Sequence, residues 1–123
     1  MFKVLFVDDE PAILEITKLL LNSLGFEAIL ANSGKMAIEI LSNKNTEEQI
    51  KIIFLDLTMP EMSGLEVLKW INQNKIKIPV ILQTGIEDQR EIKKATALGI
   101  KDYMIKPYKK EQLYQSIIKY VQQ

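Results

Sequence analysis

The chain has 123 residues, sixteen basic and sixteen acidic side chains, and neither cysteine nor histidine. That length suits one domain with a real core rather than two, and the missing residue types exclude disulfides, thiolate chemistry, zinc sites and hydrolase triads, leaving oxygen ligands and lysines. Apolar runs such as IIFL and KLLL are too short to span a membrane, and MFKVLFV meets acid before it could form a secretory core, so the expectation is one cytoplasmic domain over 1–123.

FKVLFV (2–7) is a dense apolar run without alternation, the mark of a strand buried on both faces. PAILEITKLLLNSLG (11–25) changes to helical spacing, with Pro11 in the first turn, Gly25 as a stop, and Ile13, Ile16, Leu20 and Leu24 on the expected inner side. The alternation then repeats. EAILA (27–31) reads as a strand, SGKMAIEILSNK (33–44) as a helix, and IKIIFL (50–55) as the most hydrophobic strand. A loop with Pro60 leads into the helix GLEVLKWINQN (64–74), and VILQT (80–84) is the fourth strand. EDQREIKKATALG (87–99) is helical with a thin apolar face of Ile92, Ala95 and Leu98, which predicts a loosely held element. KDYMI (101–105) is the last strand, Lys106-Pro107 a turn, and KEQLYQSIIKYVQ (110–122) the last helix, anchored by Leu113, Ile117 and Val121. Strands alternating with helices call for right-handed parallel βαβ units, hence an α/β, doubly wound five-stranded parallel sheet with ligands beyond the carboxyl ends of its strands.

Those ends carry the polar residues. The first strand runs into Asp8-Asp9-Glu10, the third into Asp56, the fourth into Thr84-Gly85 and the fifth into Lys106-Pro107. Singly each has an ordinary explanation: a helix cap, a turn, a strand threonine, a solvated lysine. Jointly they make a site. Carboxylates gathered at one sheet edge resist ionising together unless a divalent cation neutralises them, and an all-oxygen donor set suits Mg²⁺, which leaves coordination positions for a phosphoryl ligand. Thr84 and Lys106 would donate to that ligand, Gly85 would let it approach the backbone, and Asp56 is the natural nucleophile for forming an aspartyl phosphate.

VLFVDDEP (4–11), IIFLDLTMPEMSGLE (52–66), ILQTG (81–85) and DYMIKPY (102–108) resemble, block by block and in order, the receiver domains of two-component response regulators. The resemblance covers essentially the whole chain and implies the flavodoxin-like strand order 2-1-3-4-5. It makes Asp56 the phosphoacceptor, Asp9 a direct Mg²⁺ ligand, Asp8 a ligand through water, and the Thr58 carbonyl a further ligand. Lys106 would pair with the phosphoryl group and precede a cis proline bond. Thr84 would move toward the phosphoryl group and Tyr103 would rotate inward, repacking the face built from 87–99, 101–105 and 110–122. The implied donor is a histidine kinase or histidine phosphotransfer protein. A downstream protein would dock on the repacked face, with homodimerisation on activation as an option, and without direct nucleic-acid or membrane contact. Glu10 is read as favouring the helix N-terminus.

Other features are particular to this sequence. Thr58 and Ile86 occupy the two positions that steer hydrolysis in the family, and because Ile86 cannot orient a water, a longer phosphoryl lifetime than in an Ile86→Glu variant is expected. Residues 1–66 carry five lysines and eleven carboxylates, a net −6, while residues 67–123 carry ten lysines, one arginine and five carboxylates, a net +6. Lys93, Lys94, Lys101, Lys109, Lys110 and Lys119 would then gather on one side, as a solvated face or as a surface for an acidic partner. Trp70, Tyr108, Met59 and Met62 read as packing or contact residues. Competing classes are an aspartate-nucleophile phosphatase, whose nucleophile and second Asp lie two apart after the first strand rather than adjacent as here, and a flavodoxin-like cofactor binder, which lacks its phosphate loop here. A receiver cut from a longer DNA-binding regulator and a phosphorylation-independent binding module also stay open.

Overall fold

The computed structural model describes residues 2–85 and 89–121. Its elements follow in the order β1 (Lys3–Val7), α1 (Pro11–Ser23), β2 (Glu27–Ala31), α2 (Gly34–Ser42), α3 (Lys44–Glu47), β3 (Ile50–Asp56), α4 (Gly64–Gln73), β4 (Val80–Thr84), α5 (Gln89–Ala97), β5 (Asp102–Ile105) and α6 (Lys110–Tyr120). All strand pairs are parallel and the order is β2-β1-β3-β4-β5. Doubly wound packing covers both faces. Leu5, Val7, Ile53, Leu55 and Leu82 look toward α2, α4 and α5, while Val4, Phe6, Ile52, Phe54 and Ile81 look toward α1 and α6. The unalternating runs of β1 and β3 are thereby explained, since every residue but Lys3 and Lys51 is buried.

Two sequence expectations need correction. Ile16 does not face the core but is 56 % exposed, and Leu14, Thr17 and Leu21 form the buried stripe of α1. The helix is apolar on several sides, so composition alone did not fix its rotation. The helix expected over 33–44 ends at Ser42, because Asn43 leaves the helical region (φ −83°, ψ 109°) and its Oδ1 accepts the Thr46 N–H at 3.2 Å, starting the single turn α3. The thin face of α5 is present as expected, with Ile92 and Ala95 its buried residues.

Candidate functional site

Because β1 and β3 are central neighbours in register, their ends bring Asp8 and Asp56 together at the carboxyl edge of the sheet. Asp8 is fully buried and Asp56 is 4 % exposed. Asp8 spends one oxygen on the Glu10 N–H (2.9 Å) and the other on the Lys106 ammonium (2.7 Å). Lys106 Nζ also lies 3.4 Å from Asp56 Oδ2, and Asp56 Oδ1 accepts the Thr58 N–H at 3.4 Å. One ammonium therefore bridges two buried carboxylates. Burial pushes the Asp56 carboxyl up to about 6; Lys106 pulls it back, and Asp8 adds to the rise. For Lys106, burial alone would favour the neutral amine, but the hydrogen bond to Asp8 and the charge of Asp56 prevail and raise its pKa.

The loop after Asp56 is shaped by close backbone approach. The Gly64 N–H donates to Leu57 O at 2.9 Å, and a Cβ on Gly64 would lie 2.4 Å from the Asp56 carbonyl oxygen, so only glycine fits there. Ser63 caps α4 in a reciprocal box with Glu66 and fixes where the loop ends. Above Asp56 opens a cleft of about 590 Å³, lined among others by Asp9, Thr58, Thr84, Gly85 and Lys106.

The sequence-predicted residues thus converge: Asp8, Asp9, Asp56, Thr58, Thr84 and Lys106 stand at one cleft, with Asp8 beneath its surface. The Lys106-Pro107 bond is cis. Glu10 occupies the N-cap of α1 without a side-chain capping bond. Tyr103 stands apart on β5, partly buried against the layer under α2, α4 and α5. Ile86 lies outside the described residues.

One oxygen each of Asp8, Asp9 and Asp56 lie within 4.8 Å of one another. Three carboxylate oxygens without nitrogen or sulfur donors fit a small hard cation such as Mg²⁺.

Sequence reasoning missed a second polar group. Gln83 is fully buried beside Asp56 in the β3–β4 register, and its Oε1 accepts the Tyr108 hydroxyl at 2.5 Å. Burial, reinforced by the charge of Asp8, holds the Tyr108 phenol well above its ordinary pKa, so it remains a proton donor. A glutamine within a run of buried strand residues was the available signal.

A family model described as the response regulator receiver domain matches residues 4–118. The transcriptional regulatory protein CrdR of Helicobacter pylori is 37% identical over 112 residues, which are 90% of this chain and 51% of that protein. The response regulator SaeR of Staphylococcus aureus is 34% identical over 113 residues, covering 92% of this chain and 47% of the relative. The chain spans about half the length of these curated relatives. Among solved structures, the chemotaxis protein CheY4 of Vibrio cholerae superposes with a TM-score of 0.87 at 25% identity, over 98% of this chain and 99% of the other. A receiver domain protein from Clostridium thermocellum gives 0.88 at 30% identity, over 98% and 94%.

Proposed function

This chain belongs to the response regulator receiver domain family of two-component signalling, and on that footing we propose that it is a phosphorylation-driven switch whose acceptor is Asp56. The observation that carries the reading is the Lys106 ammonium set against two buried carboxylates, 2.7 Å from Asp8 and 3.4 Å from Asp56. The donor is a histidine kinase or a histidine phosphotransfer protein. An Asp56 oxygen attacks phosphorus, the phosphorus–nitrogen bond of the donor phosphohistidine breaks, and the imidazole leaves with the bonding electron pair. With its pKa near 6, Asp56 is largely ionised at neutral pH yet poorly solvated, which suits a nucleophile. Lys106 supplies positive charge to the phosphoryl oxygens as they approach, and Thr84 adds a hydroxyl donor. Asp8, Asp9, Asp56 and the Thr58 carbonyl would hold Mg²⁺, which when bound neutralises the carboxylates and the phosphoryl oxygens.

The response falls on the far side of the site. Thr84 is drawn toward the new phosphoryl group, Tyr103 takes up the vacated space, and the face of α5, β5 and α6 repacks for a protein target. Lys93, Lys94, Lys101, Lys109, Lys110 and Lys119 are all exposed on these elements and their loops, which favours an acidic target. A second reading is suggested by the coverage: residues 1–123 would be the receiver unit of a longer DNA-binding regulator, since about half of CrdR, a transcriptional regulatory protein, is matched. Both readings share the same chemistry. Incubation with acetyl phosphate, with and without Mg²⁺, followed by intact mass measurement tests it. One added phosphoryl unit that requires both Mg²⁺ and Asp56, with Asp56→Asn as control, is the expected result, and unchanged mass in the wild type would leave a phosphorylation-independent binding module as the better account.

A further inference from the structure

Below the cleft, on the sheet face shared with α1 and α6, the surroundings are apolar: Phe6, Phe54, Ile81, Met104 and Leu113 are all buried there. Gln83 is set into this layer, between Asp56 on one neighbouring strand and Met104 on the other. Among the described residues its Nε2 has no hydrogen-bond partner, whereas its Oε1 accepts the Tyr108 hydroxyl at 2.5 Å. Leucine or methionine would fill such a position without stranding a buried donor, so a glutamine here carries a cost that packing does not explain.

The connections of Gln83 suggest what offsets that cost. Its backbone oxygen accepts the N–H of Leu57, the residue after the acceptor, at 2.8 Å. Its side chain holds Tyr108, two residues beyond Lys106. The neighbouring Thr84 carbonyl accepts the Lys106 N–H, also at 2.8 Å. Two adjacent residues of β4 therefore grip the Lys106–Tyr108 segment at both ends, and one of them also grips the acceptor strand.

We propose that Gln83 and Tyr108 are positioning residues for the acceptor site, a buried hydrogen-bonded crossbar that sets Lys106 against Asp8 and Asp56. The proposal rests on the reading of Asp56 as phosphoacceptor and deepens it. The ammonium must satisfy two carboxylates at once, and a buried ion group is favourable only while its geometry is kept. The backbone bond at Thr84 fixes where the segment starts, and the phenol fixes its direction. Tyr108 does not line the cleft above Asp56; it acts through Lys106.

The test is a mutant cycle read by the initial rate of phosphoryl uptake from acetyl phosphate, with Mg²⁺, alongside Tm. Tyr108→Phe removes only the hydroxyl and is expected to slow uptake about tenfold, below the ~100-fold that a 1 Å misplacement can cost. In a Lys106→Gln background the same change should alter the rate less than about twofold, because the group it positions is gone. Pairing Tyr108→Phe with Gln83→Met removes both polar ends and should return Tm close to wild type without restoring the rate. A double variant with wild-type uptake would reduce the pair to packing and overturn the proposal, as would an equal loss from Tyr108→Phe in both backgrounds. Wild-type protein that takes up no phosphoryl group would overturn the Asp56 reading, and the crossbar with it.

Discussion

The two sides of β3 are built differently. Toward β1, the site is rooted in strands buried almost throughout, with Asp8 fully enclosed and the apolar layers continuous above and below. Toward β5, β4 is still buried throughout, and the material thins beyond it: α5 buries Ile92 and Ala95 alone among its described side chains, and in β5 only Met104 is buried. Carboxylates that must hold a fixed geometry stand on the dense side, and the elements proposed to move stand on the thin side. The difference teaches where such a switch can yield. Local opening follows the density of buried contacts, so a charge event at Asp56 has its cheapest outlet past the buried β4, through α5 and β5.

That contrast can be broken by substitution. Leu55→Ala, on β3, should cost about 3–4 kcal/mol in denaturant unfolding, whereas Ile92→Ala on α5 should cost about 2 kcal/mol, near the low end for such truncations. Equal costs would mean that the two sides are packed alike. Gly64→Ala should destabilise by about 2–3 kcal/mol and slow phosphoryl uptake, because its Cβ would force the Asp56 carbonyl out of place; uptake at the wild-type rate would show that the acceptor loop tolerates the shift.

A pH series sharpens the account of the dense side. The Asp56 carboxyl is raised by burial from 3.8 to about 6, so between these values the folded chain holds a proton that the unfolded chain has released. Its contribution to stability is therefore greatest below about pH 4, falls as pH rises, and reaches its minimum above about pH 6. Without divalent cations, Asp56→Asn should raise Tm by several degrees at pH 7, and the gain should shrink toward pH 4. A gain independent of pH would contradict the burial argument. Smallest is the effect of Lys93→Gln with Lys94→Gln. The exposed Lys94–Glu91 pair, at 3.3 Å, should add at most about 0.5 kcal/mol, so Tm should scarcely move while affinity for an acidic partner falls and loses salt dependence. Unchanged affinity would remove these lysines from the docking surface.

Much of this was legible in the sequence because strands that end in charge announce their ends. The run through Val7 into Asp8, and the run through Leu55 into Asp56, give both the strand and the side chain presented at its tip. The rotation of α1 was not legible: Ile13, Leu14, Ile16, Leu19, Leu20 and Leu21 surround much of the helix, and only packing decides that Leu19 and Ile16 stay outside. The break at Asn43 was hidden because neither proline nor glycine marks it, only a side chain that caps the next turn. Gln83 and Tyr108 escaped because each alone reads as an ordinary strand or rim residue, and their bond spans 25 positions.

Amide hydrogen exchange before and after phosphorylation, compared segment by segment, tests the central claim most directly. Protection should change in β4, α5, β5 and the Lys106 loop, with β1, β2 and α1 nearly unaltered. Changes spread evenly over the sheet, or confined to β1 and β2, would contradict it.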